Sequence, residues 1–438
     1  MFDTRLEKVY LFVSEFRIYI EGPEKEDSKS LAKTIKRHII NIIDDFNAMR
    51  IITSKSWSQF IKYLLLPRPS EWYKTLFTVS GYACACFCLH ASFRVSVLLC
   101  LLFLFEFLAY GARYQINDIL GIAEDHQIGR TRIFAQDEVH PRKKIIISIL
   151  VAVMKLEIAI LGAFLLGGQI MRRFFLSYIL LLFSTILYEA LKSLRNRAGA
   201  RTAEKTVSFG LGALDYSVYA AVGTGYPLRF LTGLWVGYPS FCRNDFTTSL
   251  IWFLLSLWLL GVFASLLSWA SSISSFAEDQ KAVQPAYVKQ YYWRIHHFLK
   301  IRNTGQARGG KGKERLLPRQ VSFSIEIKSP WNQFYIAAVL CSFLAVAYCN
   351  CLDSGTMLSA LVAAGLALGN ILTGNLGLPV MVLAQYLFLL PALLKTRDPW
   401  HCIFLINMAA IGGIYAFLRY EPFYRGGCPF MNEGDKTE

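Results

Sequence analysis

Residues 110–125, Tyr110-Gly-Ala-Arg-Tyr-Gln-Ile-Asn-Asp-Ile-Leu-Gly-Ile-Ala-Glu-Asp125, leave a long apolar run yet carry Arg113, Asn117, Asp118, Glu124 and Asp125. On a helix, Asp118 and Asp125 are seven residues apart, close to two turns, so they share a face, with Arg113 and Asn117 one turn earlier beside it. Oxygen ligands gathered where a membrane helix meets a cavity are what a hard cation such as Mg²⁺ needs to hold a diphosphate. The competing reading makes both aspartates solvated side chains just past a helix end.

The rest of the chain supplies the membrane. Apolar residues make up 54% of the 438, and the mean hydropathy is +0.37, too high for a soluble domain of this length. Apolar runs at about 76–93, 95–112, 144–166, 172–191, 207–235, 248–271, 333–350, 355–394 and 401–418 are near or above the roughly 20 residues a bilayer requires. The 355–394 run is long enough for two spans and is interrupted by Gly365, Gly369, Gly374 and Gly377, giving nine or ten spans. Without alternating polarity, these are helices rather than barrel strands. The fold class expected is an all-α integral membrane protein, a bundle of about nine transmembrane helices around a central cavity. No cleavable signal peptide is visible.

The net charge is +15, and basic residues crowd the N-terminal segment and the connections 113–143, 192–206 and 277–319. If the spans alternate, these basic segments fall on one side, which identifies it as cytoplasmic and fits nine spans better than ten. The charge is thus read as a topology signal with anionic-lipid contact, not as a nucleic-acid surface. Residues 1–65 form a cytoplasmic lead-in, 66–420 the transmembrane bundle with a cytoplasmic loop at 272–332, and 421–438 a tail. Within the lead-in, apolar residues at helical spacing over 30–46 suit an amphipathic helix lying on the membrane surface or packed against the bundle. The loop holds Tyr287, Tyr291, Tyr292, Trp293, His296 and His297, then a Gly/Lys run at 303–314 that is expected to be mobile and lacks the spacing of a phosphate loop. Cys84, Cys86 and Cys88 read as small apolar fillers in a span, and no cysteine spacing suggests zinc.

Four sequence patterns point to a family. Asn117-Asp118-Ile-Leu-Gly121-Ile-Ala-Glu-Asp125 resembles NDxxDxxxD, the first aspartate-rich motif of the UbiA superfamily of intramembrane prenyltransferases. Arg68-Pro69-Ser-Glu-Trp72-Tyr-Lys74 is similar to the RPxxWxK that opens the first span in the branch containing decaprenyl-phosphate phosphoribosyltransferases. Leu214-Asp215-Tyr216 followed by Gly225-Tyr-Pro-Leu-Arg229-Phe-Leu-Thr-Gly233 resembles that branch's LDV…GxxLR…AG, and Tyr188-Glu-Ala-Leu-Lys192 the family's YxxxK. The matches cover roughly residues 65–235. Three positions depart from the pattern. Gly121 replaces the middle aspartate, His126-Gln-Ile-Gly-Arg-Thr-Arg132 stands where a His-Pro…Lys…Arg-Pro continuation belongs, and only Glu278 and Asp279 represent the second acidic cluster.

The resemblance implies a nine-helix bundle in which Mg²⁺ on Asn117, Asp118 and Asp125 bridges to a diphosphate. Lys74, Arg113, Tyr188, Lys192, Arg195 and Arg229 surround the phosphates, and Asp215 joins the catalytic set. Breaking an allylic or anomeric C–O bond asks for the same parts: a stabilised pyrophosphate and a dry cavity that shelters a cation. Asp215 and Arg229 equally suit a structural ion pair with each other, and Trp72 with Lys74 equally suit interface anchors. Glu106, Lys155 and Glu157 are taken as cavity or packing polar groups.

The function expected is Mg²⁺-dependent loss of pyrophosphate from a prenyl diphosphate. Transfer of the prenyl cation, or its cyclisation as in UbiA-type terpene cyclases, follows. Phosphoribosyl transfer from phosphoribosyl diphosphate to a polyprenyl phosphate is the alternative, and a non-catalytic transporter or lipid-binding protein a third. Chain length, acceptor and oligomeric state have no signature in the sequence.

Overall fold

The structure is a computed structural model that describes residues 55–66, 68–122, 141–166, 168–202, 212–238, 248–279, 299–302, 320–323, 328–348, 354–372, 378–395 and 399–419. The chain divides into two compact units, Met1–Lys62 and Tyr63–Glu438. In the first, Trp57 and Phe60 meet edge to face at 5.5 Å. The expected helix at 30–46, the Gly/Lys run at 303–314, the aromatic loop residues 287–297 and the tail 421–438 lie outside the described residues.

The described elements are helical apart from one short pair of strands. Helix α1 is Lys55–Leu65, and a 3₁₀ turn at Pro69–Lys74 leads into α2, Thr75–Cys88. Next come α3 (Val95–Leu120), α4 (Pro141–Leu166), α5 (Gly168–Thr202), α6 (Ala213–Gly223), α7 (Gly225–Gly237) and α8 (Thr248–Asp279). Strands β1 (Leu299–Arg302) and β2 (Gln320–Phe323) pair antiparallel with Leu299 opposite Phe323. Helices α9 (Pro330–Ala347), α10 (Ser354–Gly369), α11 (Leu378–Lys395) and α12 (Pro399–Arg419) complete the set.

Among the described residues, five stretches are long and apolar enough to cross a membrane: Val95–Leu120, Lys143–Leu166, Gly168–Arg195, Thr248–Trp269 and Pro330–Ala347. The protein is a membrane protein by this measure. Helices α4 and α5 expose Leu161, Leu165, Ile179, Phe183 and Ile186, with Leu165 82% exposed, as faces turned to lipid are. Helix α8 carries the opposite pattern. Its Leu257, Phe263 and Leu267 are buried in a core shared with Trp331, Tyr335 and Met408. Hydrogen bonds join the apolar faces: Asn407 donates to Ser256 at 2.7 Å, and Tyr415 donates to Asn332 at 2.7 Å. Bonds of this kind between membrane helices each contribute about 0.6 kcal/mol.

Several boundaries differ from those the apolar runs suggest. The 207–235 run contains two helices, α6 and α7, meeting at Thr224. Pro227 supplies the cause: it has no N–H for the Gly223 carbonyl, and its ring crowds that group. The 355–394 run, expected to make one span or two, holds two helices, α10 and α11, which pack on each other. Helix α3 runs past 112 to Leu120, so Asn117 and Asp118 lie on its last turns, and its 102–110 stretch is π-helical. Helix α8 extends beyond 271 to Asp279, which places Glu278 and Asp279 in a helix rather than a loop, with side chains outside the described residues.

Helices α2 and α7 pack closely because glycines face each other's backbone. A Cβ at Gly81 would meet the Phe230 carbonyl, and one at Gly233 the Thr78 carbonyl, whereas one at Gly365 meets nothing within 4 Å. Gly81→Val and Gly233→Val are each expected to lower the stability of the detergent-solubilised protein by about 1–3 kcal/mol or more through overpacking. Gly365→Ala should leave it unchanged or slightly raised. Thermal unfolding of the three variants checks this.

Candidate functional site

A cavity of about 220 Å³ is lined by the 3₁₀ turn and by α3, α5, α6, α7 and α8. One water needs roughly 10–15 Å³ of such space, so the cavity has room for a small polar head rather than a single solvent molecule. Five basic side chains line it (Arg68, Lys74, Arg113, Lys192 and Arg229) against two carboxylates, Glu71 and Glu189. Hydroxyls come from Tyr73, Tyr114, Thr185, Tyr188, Tyr226, Ser265 and Ser268. Val222, Ala264 and Trp269 add a less polar wall.

Helical period delivers the α3 contribution: Arg113, Asn117 and Gly121 recur every fourth residue and all line the cavity. Gly121, standing where the resemblance has an aspartate, leaves open space instead of a side chain. The break between α6 and α7 brings bare backbone to the same place. The Gly225 carbonyl, in the first turn of α7, accepts there from the Tyr110 hydroxyl at 3.2 Å and from Arg229 Nη1 at 3.4 Å. Irregular backbone among membrane helices persists where protein groups satisfy it in this way.

Most of the cations are already paired. Arg229 donates through Nε to both Glu106 oxygens at 3.0 Å, and through Nη2 to the Tyr114 hydroxyl at 3.2 Å. Thr78 donates to the same Glu106 carboxylate. Lys74 pairs with Glu71, and Lys192 with Glu189 at 3.3 Å. Arg68 pairs with Asp118, which also accepts from the Tyr63 hydroxyl at 3.3 Å. Aromatic rings space the cations: the Arg229 guanidinium lies 3.5 Å and that of Arg113 5.5 Å from the Tyr110 ring centroid. Among the described residues, Arg113 is the only lining cation with neither a carboxylate nor a hydrogen-bond partner.

The charge states follow from this pairing. Burial alone would raise the Glu71 carboxyl, but Lys74 and Arg68 outweigh it and hold Glu71 below the ordinary carboxylate range. Burial would strip the Lys74 proton, yet Tyr226, Tyr114 and Glu71 keep its pKa well above the ordinary lysine value. Both groups stay ionised at neutral pH.

The structure sorts the residues singled out from sequence. Lys74, Arg113, Asn117, Tyr188, Lys192 and Arg229 all line the cavity. Asp118, Asp215 and Arg195 do not; Asp215 is buried against Arg195. The suggested pairing of Asp215 with Arg229 is therefore replaced by two others, Asp215 with Arg195 and Arg229 with Glu106. Trp72 is 51% exposed and absent from the lining, in keeping with an interface anchor, while Lys74 turns inward. Asp125 lies outside the described residues. Sequence reasoning left Arg68, Glu71 and Glu189 out of the site although each falls inside a quoted motif. It took Glu106 for a generic polar group, and nothing local to residue 106 announces a partner 123 positions away.

The described donors do not by themselves furnish a Mg²⁺ site. The Asp118 carboxylate is engaged by Arg68 and Tyr63. Asn117, with its amide oxygen turned to Arg68, accepts from Nη2 at 2.8 Å and donates to Glu189 at 2.9 Å. Among the described residues, no three His, Cys, Asp or Glu side chains converge as metal ligands. No protein-family model, curated protein or solved structure matches this chain.

Removing one member of a buried pair strands the other, at a cost of about 3–5 kcal/mol. Arg229→Ala should therefore abolish or severely reduce folded yield, since the side chains of Arg229 and Glu106 are 3% and 6% exposed. Arg113→Ala should fold normally, because no carboxylate among the described residues depends on it. Size-exclusion profiles and thermal midpoints of the two variants test this ordering.

Proposed function

We propose that the cavity grips the diphosphate head of an isoprenoid substrate and that the protein is an intramembrane enzyme of prenyl diphosphate chemistry, similar in design to the UbiA superfamily. The carrying observation is five basic side chains around one polar cavity in a bundle of apolar helices, with Arg113 unpaired among the described residues. Anionic ligands and cationic pockets of this kind complement each other in charge-assisted hydrogen bonds.

In this reading the substrate's C1–O bond breaks, its electron pair passes to the departing pyrophosphate, and Arg113, Arg68 and Lys74 stabilise the charge developing there. The allylic cation is captured by an acceptor or by the chain's own double bond, with loss of a proton. Tyr226 and Trp269 are aromatic side chains of the lining, the kind such a cation needs. Nine spans enclosing the cavity, with the N-terminus and the basic loops cytoplasmic, complete the proposed arrangement. No step is assigned to a metal.

Phosphoribosyl transfer to a polyprenyl phosphate is the second reading. The observation in its favour is that Thr185, Tyr188, Ser265 and Ser268 put hydroxyl-bearing side chains in the lining, which suits sugar oxygens better than an isoprenoid tail.

Incubating the purified protein with labelled farnesyl, geranylgeranyl or phosphoribosyl diphosphate, each with and without polyprenyl phosphate, tests both. The expected result is pyrophosphate release from a prenyl diphosphate, with a cyclic product or a prenylated acceptor. Product only from the sugar donor plus polyprenyl phosphate selects the second reading, and no turnover of any donor contradicts both. Parallel reactions in Mg²⁺ and in EDTA read the metal dependence expected from the sequence.

A further inference from the structure

Arg68 combines three features that ordinary surface arginines lack. Its backbone is left-handed, at φ 51° and ψ 65°, a conformation costing a non-glycine residue about 1–2 kcal/mol. Its guanidinium is held as a fork on Asp118, with Nε at 3.3 Å from Oδ2 and Nη2 on Oδ1, while Nη2 also donates to Asn117 at 2.8 Å. It lies 5.0 Å from the Tyr114 ring centroid and lines the cavity, which Asp118 does not. A planar guanidinium fixed on one edge by a carboxylate keeps its other edge aimed.

We propose that Asp118 is a positioning residue: with Asn117 it clamps Arg68 at the cavity wall, so that Arg68, not a metal on Asp118, meets the anion. This rests on the diphosphate reading of the cavity and assigns the role of its most acidic-looking motif. The charge on Asp118 is committed to a cation that the fold supplies. The left-handed residue between Pro67 and Pro69 sets the direction from which that cation arrives.

The probe is inorganic pyrophosphate, titrated calorimetrically into the full-length protein in detergent, in EDTA and in Mg²⁺. Wild type is expected to bind in EDTA. Asp118→Asn should weaken that binding roughly 10- to 100-fold, the range for a lost charge-assisted contact, without changing the Mg²⁺ response. Arg68→Gln should weaken it at least as much, and adding Asp118→Asn to Arg68→Gln should cost nothing further, because both act through one group. Neutralising both members leaves no stranded charge, so the double variant keeps the comparison open even if Asp118→Asn alone does not fold. Binding that requires Mg²⁺, with Asp118→Asn or the double variant raising the Mg²⁺ needed, would overturn the positioning role and restore a ligand role, leaving the diphosphate reading intact. Absence of pyrophosphate binding by wild type in either buffer would remove both.

Discussion

Ion pairing among apolar helices is the constraint on which this structure turns. A lone charge within a bundle is costly, by several kcal/mol on any scale, so each one placed there requires a partner. The bundle meets that demand by drawing its pairs from distant positions: Glu106 with Arg229, Asp118 with Arg68, and Asp215 with Arg195. These pairs tie α3 to α7, α3 to the 3₁₀ turn, and α5 to α6. They hold in place the wall of a cavity whose remaining lining cation, Arg113, has neither a carboxylate nor a hydrogen-bond partner among the described residues.

Helix irregularity serves the same end. The π-helical stretch of α3 contains Glu106, and the break at Thr224 sets Gly225 against Tyr110 and Arg229. Pro227 leaves the Gly223 carbonyl without the N–H that regular helices would supply. Interrupted ones expose backbone where a polar cavity can use it, a device found where membrane proteins bind ions and substrates. Gly121 adds a gap in the same wall.

Much of this was legible in the sequence, for identifiable reasons. Hydropathy marks helices because lipid leaves the backbone no other partner; Arg113 and Asn117 stand out as polar residues at helical spacing beside an apolar run, and Lys192 and Arg229 through the family resemblance. Helix breaks were harder. Pro227 sits in a motif whose resemblance suggests one continuous span, so the split of 207–235 is visible only once its missing N–H is followed to Gly223. Pairings were least legible. Asp215 and Arg229 are the nearest opposite charges in their stretch, yet each takes a partner from another helix, because pairing is set by helix packing and not by sequence distance. Asp118 shows the same effect: its spacing to Asp125 points to a metal, while the turn that delivers its partner Arg68 lies some 50 residues earlier.

The central claim is that a phosphate-bearing head occupies the cavity. An experimental structure of the full chain with methylenediphosphonate tests it most directly. The expected result is density for the bisphosphonate within hydrogen-bonding distance of Arg113 and Arg68. Density for the anion elsewhere on the protein, with an acyl chain filling the space between Arg113 and Lys192, would contradict it.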